Sequence, residues 1–115
     1  MKRRSSGTRR RVEPVGADEF ARAAREYEQA LPKKLRALAH AIERAQAGDV
    51  EALVTARALA HRLAGTAGCY GFTVVGELAG DVDAALWPAF SSSGVAAMRA
   101  WAEIESVMAR LLTAA

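Results

Sequence analysis

The sequence predicts an all-α fold: an antiparallel up-down four-helix bundle over residues 17–115, preceded by a flexible basic N-terminal arm over residues 1–16. Three observations predict it. Alanine is abundant and aromatic residues make up only 6% of the 115 positions, with β-branched residues sparse, a balance that favours helix over sheet. Apolar residues recur every three or four positions in four separate stretches, and no stretch alternates polar and apolar as a half-buried strand does. The connections between those stretches are short, which suits helices that pack antiparallel to their neighbours. A chain of this length forms one domain and buries a core without staples.

Residues 1–16 mix Lys2, Arg3, Arg4, Arg9, Arg10 and Arg11 with Ser5, Ser6, Gly7, Thr8 and Pro14, without apolar periodicity. That composition reads as a disordered arm. The first helix is expected to open at Asp18, whose carboxylate suits free N–H groups and the positive end of the helix dipole. Phe20, Ala24, Tyr27, Leu31, Leu35, Leu38, Ile42 and Ala45 form its stripe. The phase is unchanged across Pro32, so the spacing predicts one long bent helix that Gly48 stops. Asp49 caps a second helix running to about Tyr70, where Gly71 breaks it. A third runs from about Thr73, with Val75, Leu78, Val82, Ala85 and Leu86 inward, and is expected to end before Pro88. Ser91, Ser92 and Ser93 offer N-caps for a fourth, whose stripe is Met98, Trp101, Ile104, Met108 and Leu111.

The net charge of +3 conceals an asymmetry. Six basic residues of the arm face Glu13 alone, while the rest of the chain carries ten basic against twelve acidic residues. The folded body is therefore nearly neutral, which weighs against nucleic-acid binding by the bundle itself. Cys69, the single cysteine, can close no internal disulfide, which fits a reducing cytoplasm; it lies in no zinc-ligand spacing and reads as a small buried residue. No stretch approaches the roughly 20 apolar residues of a membrane span.

Candidate chemistry concentrates on the second helix. Leu53, Ala56, Leu59, Ala60, Leu63 and Ala67 fall on one side of it at 3.6-residue spacing. His61 then projects roughly 140° from the centre of that stripe. One turn away lie Arg57, Ala58, Ala64 and Gly65, with Val54 and Gly68 two turns away. Glycine costs about 1 kcal/mol against alanine inside a helix, so two of them beside an exposed imidazole leave room for something to approach it. Imidazole, with an ordinary pKa of about 6.5, is a competent nitrogen nucleophile near neutral pH. His40 has no glycine neighbours and reads as a solvated boundary residue. Trp87, Trp101, Tyr70 and Phe72 read as core or end-plug residues, because no basic interleaving accompanies them.

His61-Arg62-Leu63-Ala64-Gly65, followed by Gly68 and then Gly71-Phe72, resembles the signature of histidine-containing phosphotransfer (HPt) domains. That pattern runs histidine, any residue, leucine, lysine, glycine, then small residues and a further glycine. The resemblance extends, through helix spacing, from about Phe20 to the C-terminus. It implies that His61 accepts a phosphoryl group from a receiver-domain aspartate and passes it to another receiver. The implied partners are response-regulator receiver domains and a histidine kinase, with Mg2+ held by the receiver and no cofactor intrinsic to this chain. Here Ala64 stands where the family has lysine, so Arg57 or Arg62 would have to supply charge to the phosphate; Arg57 has the better same-face spacing.

The docking face expected around His61 comprises Val54, Arg57, Ala58, Arg62, Gly65 and Gly68, completed by another helix. The protein is expected to be a monomer with no ATP site of its own, since it has no P-loop, nucleotide-binding glycine signature or metal-ligand set. Two other readings stand beside this one. The chain could be a non-phosphorylated helical adaptor that binds a receiver or kinase, or a nucleic-acid-associated bundle acting through its basic arm.

Overall fold

The computed structural model describes the backbone of residues 4–115 and the side chains of residues 16–115. Its four helices are α1 (Arg4–Gln46), α2 (Val50–Thr66), α3 (Thr73–Ser91) and α4 (Gly94–Ala114), with one turn of 3-10 helix over Ala67–Tyr70 closing α2. No strand occurs among the described residues. α2 packs against α1 and α3, and α3 against α4, while α1 and α4 meet more lightly.

The stripes read from the sequence build the core. Leu31, Leu35, Leu38 and Ile42 of α1 meet Leu53 and Leu63 of α2, Val75, Val82 and Leu86 of α3, and Trp101, Ile104 and Leu111 of α4. Each fully buried leucine or isoleucine contributes about 1.5–3 kcal/mol relative to exposure. No polar or charged side chain is buried among the described residues, so the core itself sets helix register by shape. On α2 the inward residues Ala52, Ala56 and Ala60 are small, as is Ala67 of the 3-10 turn, which lets neighbouring helices approach closely.

Two glycines end helices in the way the sequence predicts. Gly48 has φ 103°, its N–H bonds the Ala45 carbonyl at 3.0 Å, and the Asp49 N–H reaches the Arg44 carbonyl at 3.0 Å. Gly71 repeats the pattern at φ 94°, with Gly71 N–H to Gly68 O at 3.2 Å and Phe72 N–H to Ala67 O at 2.9 Å. Both are Schellman closures, and both need a left-handed residue that only glycine adopts without strain.

Several expectations need correction. α1 begins at Arg4, not near Asp18, so the backbone of residues 4–16 is helical where a flexible arm was expected; residues 1–3 of that arm lie outside the described residues. Arginine is a good helix former, and extending an existing helix costs far less than nucleating one. As the unbroken apolar phase predicts, α1 does continue through Pro32 as one helix. The carbonyl that Pro32 leaves without an amide donor is that of Glu28, and both residues are exposed to water.

α3 likewise continues past Pro88 to Ser91 instead of stopping before it. Leu86 and Ala89 are buried on either side, and the last turn is closed by serine hydroxyls: Ser91 Oγ donates to the Trp87 carbonyl at 2.8 Å and Ser92 Oγ to the Pro88 carbonyl at 2.6 Å. Those two serines therefore finish α3, and Ser93 takes the N-cap position of α4 without a capping side-chain bond. Met98 is 71% exposed, and Val107 fills the buried face of α4 in its place; Phe20 and Cys69 are exposed as well.

Candidate functional site

The site is set first by where α2 starts. Asp49 Oδ1 accepts the Ala52 N–H at 3.1 Å, and its other oxygen takes Arg44 Nη2 at 2.6 Å and Nε at 3.2 Å. The Arg44 guanidinium, followed by the Ala52 N–H, holds the Asp49 carboxyl below the usual carboxylate range. With that end fixed and Leu53, Ala56, Ala60 and Leu63 turned inward, the opposite face of α2 must present Val54, Arg57, Ala58, His61, Gly65 and Gly68 to solvent; all six are exposed.

The His61 side chain is 83% exposed, yet it is anchored. Its Nδ1 lies 3.1 Å from Oδ2 of Asp83 on α3, a carboxylate only 24% exposed. An ionised carboxylate accepts hydrogen bonds and cannot donate them, so Nδ1 carries the proton. In the neutral ring Nε2 is then the unprotonated, solvent-facing nitrogen, which is the tautomer a nucleophilic histidine needs. Asp83 lies one turn before Trp87, and the two help line a shallow groove with His61, Arg57, Val54 and Ala58. Trp87 is 53% exposed and stacks on Phe90 with centroids 6.3 Å apart, so it forms a groove wall instead of the plug expected from sequence.

A family model described as Hpt domain matches residues 22–114. The chain belongs to the Hpt domain family. No curated protein and no solved structure matches it. An Hpt domain serves histidine phosphotransfer in two-component phosphorelays, working with receiver domains and kinases. The match begins inside α1 and leaves the most basic stretch outside it. Among the described residues no group of His, Cys, Asp or Glu could hold a metal ion, and no helix is long and apolar enough to cross a membrane.

Within this Hpt domain the sequence-derived site residues separate into two sets. Val54, Arg57 and Ala58 share the groove with His61. Arg62 does not: about 100° further round α2, it lines a cavity against α1 with Tyr27, Lys34 and Tyr70. Gly65 and Gly68 border the histidine face with open space where a Cβ would stand, so no internal packing demands glycine at either position.

Gly76 and Gly80 of α3 instead face the α2–α3 seam, where an added Cβ would meet ordinary contacts. A Cβ on Gly76 would lie 3.5 Å from the Ala64 carbonyl oxygen and 3.5 Å from the Gly68 nitrogen, and one on Gly80 3.8 Å from the Ala64 Cβ. Ala64, at the position of the family lysine, is thus half-buried against the bare backbone of α3. Asp83 and this glycine pair escaped the sequence reading, and Trp87 was read there as a plug, because each acts across a helix–helix seam. The one signal was the i,i+4 spacing of Asp83 and Trp87 beside an otherwise apolar stripe.

Proposed function

We propose that this Hpt domain is a phosphorelay intermediate that takes a phosphoryl group onto Nε2 of His61 from a receiver-domain aspartate and delivers it to another receiver. The observation that carries this reading is the 3.1 Å contact between Nδ1 of the exposed His61 and Asp83. In the transfer, the Nε2 lone pair forms a P–N bond as the acyl-phosphate P–O bond breaks, and the aspartate leaves as carboxylate. The ring then carries a positive charge, with the proton still on Nδ1 and the Asp83 carboxylate beside it as counter-charge. Phosphoryl transfer asks mainly for positioning and electrostatic stabilisation, and the hydrogen bond to Asp83 that orients the ring supplies the first.

Arg57 is the cation of this chain best placed to face the phosphoryl oxygens, because it lines the same groove one turn before His61. The apolar collar of Val54, Ala58 and Trp87 would dock the receiver, and Gly65 and Gly68 would let its active-site edge approach. The metal used in such a transfer belongs to the receiver. In this reading the domain acts as a monomer, with no cofactor of its own.

The test is incubation with a phosphorylated receiver, followed by intact mass measurement and acid treatment. The expected result is an acid-labile gain of one phosphoryl group that is absent in His61→Ala, whose fold is unchanged because the side chain is exposed. Retention of the acid-labile group in His61→Ala would sink the assignment. Saturable binding of a receiver panel without any transfer would favour the adaptor reading, for which the missing lysine at Ala64 is the specific support.

A further inference from the structure

The cavity between α1 and the end of α2 is separate from the His61 groove and shares no residue with it. Leu59 and buried Leu63 give it an apolar floor. Tyr27 and Tyr70 stack beside it with centroids 4.7 Å apart at 24°. Lys34 and Arg62 complete the lining, and no carboxylate does. Neither cation has an ion-pair partner among the described residues; Lys34 Nζ instead sits 5.7 Å over the Tyr27 ring, within cation–π range.

Two of the three hydroxyls of the lining, those of Tyr27 and Thr66, are already committed as donors. Thr66 Oγ1 donates its one proton to the Arg62 carbonyl at 2.9 Å, so in the 3.0 Å contact with Tyr27 the tyrosine must donate. The donors left to a ligand are therefore the Lys34 ammonium, the Arg62 guanidinium and the Tyr70 hydroxyl, and only the first two carry charge. A volume of about 180 Å³ sets the size. A dry cavity of roughly 150 Å³ holds benzene, whereas drug-sized ligands need roughly 300 Å³ or more.

We infer that this cavity is a binding site for a small monocyclic aromatic carboxylate, its ring against Tyr27, Tyr70 and the leucine floor and its carboxylate between Lys34 and Arg62. The planar fork of Arg62 suits a carboxylate, and the ring adds apolar burial against the leucine floor and the tyrosine edges that a short aliphatic acid lacks. The site lies on the opposite flank of α2 from the histidine, so a ligand there leaves His61 free. It rests on the cavity alone, independent of the phosphoacceptor reading.

Benzoate, titrated into the 15N-labelled full chain with amide shifts followed by NMR, tests it. Saturable shifts are expected at Leu59, Thr66 and Tyr70, with those of Val54 and Asp83 unmoved. Benzyl alcohol, the neutral counterpart of similar shape, is expected to bind about tenfold or more weakly, and the Lys34→Gln/Arg62→Gln double variant to lose benzoate affinity by a similar factor. Both replaced side chains reach solvent, and an unchanged amide spectrum away from the cavity would verify the fold of the variant. Absence of saturable shifts, equal affinity for benzyl alcohol, or undiminished affinity in the double variant would each overturn the proposal.

Discussion

The two flanks of α2 come from one helix, yet they differ in kind. Toward α3 an exposed imidazole is paired with a partly buried carboxylate in an open groove, with Arg57 and Trp87 at its sides. Toward α1 two cations face a smaller cavity of tyrosines and leucines with no acidic residue. His61 and Arg62 are adjacent in the chain and serve opposite flanks, because one residue turns a helix by about 100°. Proximity in a motif is therefore a poor guide to shared function on a helix: Asp83, 22 positions away, is the residue that touches His61.

The comparison can be broken most forcefully at the α2–α3 seam. Gly76→Leu is expected to cost about 1–3 kcal/mol by overpacking and to carry phosphotransfer down with it. Gly76→Ala should be tolerated, since its Cβ would make only ordinary contacts. Thermal melts of the two variants check this, and equal melting temperatures would show that the seam is not close-packed.

Next in size, Asp83→Asn should slow phosphoryl transfer by about tenfold or more while leaving the melt nearly unchanged, because the amide can donate to Nδ1 and favour the wrong tautomer. Rapid-quench transfer from a phosphorylated receiver measures it; an unchanged rate would reduce the 3.1 Å contact to a bystander.

Smaller effects should divide the flanks. Arg57→Gln and Gly65→Leu are expected to weaken transfer severalfold, the first through charge and the second by obstructing docking, with stability held or slightly raised in Gly65→Leu. Arg62→Gln should leave transfer unchanged. A transfer loss in Arg62→Gln equal to that of Arg57→Gln would erase the distinction.

The smallest effect concerns how α2 is started. The Asp49 carboxyl is held below its ordinary range in the folded chain, chiefly by Arg44. Its contribution is fully present above the unfolded carboxylate value and is lost as pH falls through the lowered native one. Asp49→Asn keeps a capping oxygen but not the charge, so its stability deficit should shrink on acidification through that window, as measured by denaturant melts. A deficit independent of pH would assign the effect to capping alone.

The four helices, their glycine stops and most of the core were legible in the sequence because 3.6-residue periodicity and left-handed glycines are local properties. So were the exposure of His61 and its open glycine border, which follow from position on one helix. Local rules misjudged Pro88, Met98 and the start of α1, where packing on neighbouring helices and the low cost of helix extension decide.

Only the tertiary structure chose which residues of α3 face the histidine, brought Trp87 to the groove wall and sent Arg62 to the other flank. The physical reason is that a helix fixes directions about its own axis. The rotation and register of one helix against the next depend on side-chain shapes meeting across a seam, as Gly76 and Gly80 meet Ala64, and no single-helix pattern encodes that.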